Sequence, residues 1–79
     1  MNWQKYITID EDILTGKPII KNTRLSVDFL LNLYAEGWNE ETILENYPQL
    51  SHESLKAVFA FSAEIIRDEE LYSVIKNVA

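Results

Sequence analysis

The chain has 79 residues, 47% of them apolar and 25% charged, and its seven Lys and Arg against 13 Asp and Glu leave a formal net charge of −6. So large an apolar share excludes disorder, no apolar run is long enough to cross a membrane as a helix, and the absence of cysteine removes disulfides and thiolate metal sites. An acidic balance also opposes bulk electrostatic binding of nucleic acid, because non-specific affinity comes from cations that displace counterions along the phosphates.

A single domain of this size stabilises its core only marginally unless a partner adds buried area, so a dimer or complex is expected. The start lacks the cationic stretch and apolar run of a secretion signal, and the expected location is cytoplasmic. Trp3 falls in a start expected to be mobile. Its exposure would be costly, which marks it as an oligomer or partner contact.

Tyr6-Ile7-Thr8-Ile9 is a short β-branched run, and Pro18-Ile19-Ile20 and Arg24-Leu25-Ser26 read as two more extended pieces around a Lys21-Asn22 turn. A two-stranded ribbon is marginal in water, so Ile7, Ile9, Ile19 and Ile20 predict pairing of the strands with one another and across a dimer interface. The alternative is that the ribbon pads one end of a helical core. Arg24, after the turn and before Ser26, suits either a bridge to a turn carbonyl or to Asp28 or Asp10, or a phosphate contact.

A first helix is expected over 27–36, with Ser26 as its cap and Val27, Leu30, Leu31 and Tyr34 recurring at i, i+3, i+4 and i+7. Gly37 provides a left-handed stop. A second helix begins at Asn39, its N-cap, with Glu40 and Glu41 in the first turn and Trp38 placed to staple onto Ile43. It ends at Tyr47-Pro48. The device repeats at Ser51, where Leu50 faces Leu55, and a third helix continues through Val58, Phe59, Ser62, Ile65 and Ile66. Two capped helices joined by Pro48-Gln49-Leu50 form a helix-turn-helix. Tyr34, Trp38, Tyr47, Phe59 and Phe61 recur at helical spacing, which core packing explains better than base stacking.

The apolar phase slips after Ile66, the next set being Leu71, Val74, Ile75 and Val78. Either a fourth helix starts near Asp68 or the third presents a new face. One domain is expected: a β-ribbon arm over 1–25, a helix-turn-helix core over 26–66, and a C-terminal helix or extension over 67–79.

Catalytic residues are not assigned. His52 is the single histidine, Gly16 and Gly37 stand alone, and no nucleophile–base pair can be assembled. Nor is a metal or cofactor, because the consecutive acids Asp10-Glu11-Asp12 lack the alternate spacing and glycine of a calcium loop. Gln49, Ser51, His52 and Lys56 surround the start of the third helix, the segment that enters the major groove in helix-turn-helix proteins, and are the candidate DNA contacts. Glu45 and Glu53 nearby oppose groove entry, and a merely solvated face is the competing reading. The candidate partner contacts are Leu71, Val74, Ile75 and Val78, flanked by the cations Arg67 and Lys76.

Gly16, Pro18, Ile19, Ile20, Thr23, Arg24, Leu25 and Val27, then Gly37, Trp38, Glu41 and Ile43, then Tyr47, Pro48, Leu50 and Ser51 form an ordered pattern. On these residues the chain resembles domain-of-unknown-function family 433, small prokaryotic proteins described as antitoxin-like partners of PIN-like nuclease toxins. The resemblance covers about residues 6–66. Asn22 stands where that pattern usually has glycine. Asn tolerates positive φ better than other side chains, so the turn should survive.

The resulting expectation is a mainly α, homeodomain-like three-helix unit with a short N-terminal β-ribbon and a C-terminal helical extension. By resemblance, it is the antitoxin-type component of a toxin–antitoxin pair, binding a PIN-like toxin and operator DNA as a ribbon-mediated homodimer. The alternatives are a DNA-binding regulator with no toxin and a protein-binding adaptor that does not touch DNA.

Overall fold

In the computed structural model, which describes residues 1–67, β1 (Ile7–Ile9) pairs antiparallel with β2 (Pro18–Ile20), Ile7 facing Ile20 and Ile9 facing Pro18. Three helices follow, α1 (Val27–Ala35), α2 (Glu40–Asn46) and α3 (His52–Ile66), and short 3₁₀ turns occupy Trp3–Lys5 and Leu14–Gly16. The fold is therefore mainly α with an N-terminal ribbon. Arg24-Leu25-Ser26 does not extend the sheet as a third strand. It contributes one isolated bridge, Ile19 to Ser26, because the chain must turn there into the cap of α1.

The ribbon finds its cover within the chain. Ile7, Ile19 and Ile20 are buried, Ile7 and Ile20 joining the core of Val27, Leu30, Leu33, Ile43, Leu55 and Val58, while Ile9 stays 58% exposed. Three of the four isoleucines expected to need a partner's surface thus do not need one. The ribbon pads one end of the helical core.

Capping side chains set the helix boundaries. The Ser26 hydroxyl accepts from the Phe29 N–H at 3.2 Å, and the Asn39 side chain accepts from the Thr42 N–H at 2.8 Å. Ser51 and Ser54 cap each other, the Ser54 N–H donating to the Ser51 hydroxyl and the Ser51 N–H to the Ser54 hydroxyl. Each bond satisfies a donor that the first helical turn leaves free. At the end of α1, Gly37 adopts φ +97°, its N–H reaching the Tyr34 carbonyl and the Trp38 N–H the Leu33 carbonyl, the pair of bonds that defines a Schellman stop.

Two buried faces differ from the expected ones. In α1 they are Val27, Leu30 and Leu33, with Leu31 and Tyr34 half-buried. The helix is rotated so that Leu33, absent from the expected stripe, points inward. In α3 the buried side chains are Ser54, Leu55, Ala57 and Val58, whereas Phe59, Ile65 and Ile66 are exposed. Packing explains this: α3 meets α1, α2, β1 and the Trp3–Lys5 turn, so several neighbours choose its inner face. Phe59 packs edge-on to Tyr34 outside the core, ring centroids 4.8 Å apart.

Trp3 is part of the fold and does not begin a mobile arm. Its indole meets Phe61 edge to face at 4.8 Å and its Nε1–H donates to the Glu64 carboxylate, tying the N-terminal turn to α3. Among the described residues no helix is long and apolar enough to cross a membrane. The expected C-terminal contacts Leu71, Val74, Ile75, Lys76 and Val78 lie outside the described residues.

Candidate functional site

The helix-turn-helix face is built by the α2–α3 connection. Pro48 ends α2, the Leu50 N–H closes a turn on the Tyr47 carbonyl at 2.9 Å, and buried Leu50 and Leu55 seat the start of α3. That geometry leaves Gln49, Ser51, His52 and Lys56 exposed. They are not equally available. The Ser51 hydroxyl is engaged as a cap, and His52 Nδ1 lies 2.7 Å from Glu40 Oε1, linking the first turns of α3 and α2. Gln49 and Lys56 make no side-chain hydrogen bond or ion pair with the described residues and are the two groups free to meet a ligand. Around them Glu41, Glu45 and Glu53 are also exposed, so the local charge is negative.

The motif residues at the other end form a rigid turn between β2 and α1. Asn22 takes φ +64°, as expected for the residue in place of glycine. The Thr23 hydroxyl donates to the Ile20 carbonyl at 2.7 Å and accepts from the Leu25 N–H at 3.0 Å, and the Ile20 N–H donates to the Leu25 carbonyl. Thr23 is thus committed to the turn. Arg24, held between two anchored residues, points to solvent and has no hydrogen bond or ion pair with the described residues.

That corrects the expected bridge from Arg24 to Asp28 or Asp10. Lys17 takes Asp28 instead, Nζ to Oδ2 at 3.2 Å, and Asp10 accepts from the Asp12 N–H within its own loop. The missed signal was Lys17 itself, a second cation near the ribbon. A hydrogen bond with Ser26, and then Lys17, hold the Asp28 carboxyl below the usual carboxylate range. A depressed pKa stabilises the fold above the ordinary carboxylate value near ~4, and that contribution is lost as pH falls through the lowered one. Asp28→Asn should therefore cost less than about 1 kcal/mol near neutrality, since the ion pair is solvent-exposed, and the gap should close at pH ~2. Urea midpoints at the two pH values check this; a gap that persists in acid would remove the ionic explanation.

Arg24 lines two clefts, one of about 600 Å³ with Thr8, Ile13 and Lys21, the other of about 950 Å³ with Leu14, Phe29 and Asn32. A third, apolar cleft opens where α3 ends, between Pro18, Leu31, Phe61, Ile65 and Ile66. Arg67, a predicted partner contact, lies exposed beside it as the C-cap of α3. Among the described residues no three His, Asp or Glu side chains gather as a metal-ligand set.

The family model for a protein of unknown function, DUF433, matches residues 7–62. A crystal structure of a DUF433 member protein from Anabaena variabilis superposes with a TM-score of 0.74 at 29% sequence identity, covering 92% of this chain and 70% of that one. Among curated proteins no match is found.

Proposed function

This chain belongs to the DUF433 family, and from that premise we propose that it is a binding protein and not an enzyme, the antitoxin-type component of a pair whose other member is a PIN-like nuclease. The observation that carries a protein-binding role is the apolar surface at the end of α3, where Ile65 and Ile66 are 46% and 58% exposed beside Phe61 and Leu31. Apolar side chains gathered in one cleft favour association with another protein. Arg67, exposed and next to Ile66 in the chain, would meet carboxylates of an acidic nuclease site. Co-expression with the neighbouring gene followed by purification tests this, a PIN-like product that elutes separately being the adverse result.

Operator binding, by a homodimer joined at the ribbon with Ile9 in the contact, is the second arm of the proposal. Exposed Gln49 and Lys56 at the start of α3 support it, whereas the surrounding carboxylates restrict it to specific contacts in place of bulk attraction. Lys56→Glu should weaken a gel shift by roughly tenfold to a hundredfold, the equivalent of about 1–3 kcal/mol, with an unchanged melting temperature. Equal shifts from both proteins would clear this face of a DNA role. If wild type shows no salt-dependent shift, the protein-binding adaptor reading takes its place.

A further inference from the structure

The Leu14–Gly16 turn carries a run of left-handed backbone. Leu14, Thr15 and Gly16 lie in succession at φ +50°, +55° and +81°, and two of the three bear side chains. Side chains in this region of backbone space are strained and persist where surrounding structure holds them, often where they present a group to a ligand. Here the turn leaves Leu14 40% exposed in the groove that also holds Phe29, 39% exposed, and Arg24. Two bulky apolar side chains and a guanidinium without an ion pair among the described residues thus share one open groove, bordered by Asn32.

We propose that this groove, between the Leu14–Gly16 turn and the start of α1, docks a segment of a partner protein in which a carboxylate side chain adjoins a bulky apolar one. Leu14 and Phe29 take the apolar group and Arg24 the carboxylate. Charge complementarity selects this occupant. Lys17 is already neutralised by Asp28, so Arg24 is the groove's unmatched charge among the described residues. A planar guanidinium suits a carboxylate through two parallel hydrogen bonds, and the rigid Asn22–Thr23 turn that carries it reduces the entropy lost on binding. A nucleic acid fits less well, since the two cations here without an ion pair among the described residues, Arg24 and Lys21, stand beside Asp10 and offer no track for successive phosphates. The inference rests on the protein-binding part of the proposed function but assigns a different surface from the cleft at the end of α3.

The test is to pan a random peptide-display library against the immobilised full chain and measure a selected peptide by fluorescence anisotropy. Selection should enrich Asp or Glu next to Leu, Ile or Phe. The peptide should bind Arg24→Glu and Phe29→Ala at least about tenfold more weakly, and Lys56→Glu as well as wild type. Arg24→Gln, with the charge removed and not reversed, should give an intermediate loss, and circular dichroism confirms that each variant is folded. Selected peptides without an acidic preference, or equal affinity for Arg24→Glu, would overturn the assignment. Capture of the PIN-like neighbour by Arg24→Glu as well as by wild type would overturn it while leaving the antitoxin reading intact. Binding of acidic–apolar peptides at Arg24 with no capture of the neighbour would do the reverse.

Discussion

Leu30→Ala is expected to remove a large share of the chain's folding stability. Leu30 is completely buried in α1, within the core cluster that joins the ribbon residues Ile7 and Ile20 to Ile43, Leu55 and Val58. Removing its isobutyl group loses transfer free energy and leaves a cavity, together about 2–5 kcal/mol for buried leucines. A domain of this size commands only roughly 4–12 kcal/mol in total, so a value near the upper end of that cost exhausts the lower end of the supply. The melting temperature should fall by about 10 °C or more. Leu31→Ala is the control, because Leu31 is only partly buried and faces the cleft at the end of α3. It should cost less than half as much. Equal losses in urea titrations of the two variants would contradict the orientation of α1.

The second large effect is expected at Trp3, where sequence reasoning and structure diverge. Trp3→Ala removes the edge-to-face contact with Phe61, the hydrogen bond to Glu64 and part of the cover over the core. Truncation of a fully buried tryptophan or phenylalanine costs about 3–5 kcal/mol, and since Trp3 keeps some exposure the expected loss is roughly 1.5–3 kcal/mol. Trp3→Phe should recover part of it by retaining a ring against Phe61. The prediction is read by thermal melting and light scattering together. An unchanged melting temperature with a smaller particle mass would instead mark Trp3 as a contact between copies.

The local features of this fold were legible because their causes are local. Ser26, Asn39 and Ser51 cap helices with their own side chains, Gly37 stops α1 through backbone freedom, and Pro48 cannot continue α2, so each boundary follows from a few adjacent residues. The ordered motif from Gly16 to Ser51 likewise pointed to the family that the DUF433 model matches over residues 7–62. The candidate contacts were legible only as a group. Sequence spacing placed Gln49, Ser51, His52 and Lys56 around the start of α3 and marked Ser51 as a cap, but it could not show that His52 meets Glu40 across two helices.

By itself, then, the sequence determined where the three helices start and where α1 and α2 stop, that a ribbon precedes them, and that an Asn22 turn leads into α1. Tertiary structure decided which side of each helix is buried and which charges pair. Helical periodicity in α3 admits both the Val58–Phe59–Ser62 face and the Leu55–Val58–Phe61 face, and the choice fell to the neighbours, with Trp3 packing onto Phe61 from 58 residues away. For the same reason Arg24 is left without an ion pair among the described residues: Arg24 and Lys21 both lie nearer Asp28 along the chain than Lys17 does, and only the folded path of the ribbon brings Lys17 to it. Caps and turns are set by bonds between near neighbours in sequence, whereas burial and ion pairing depend on distances that exist only once the chain has folded.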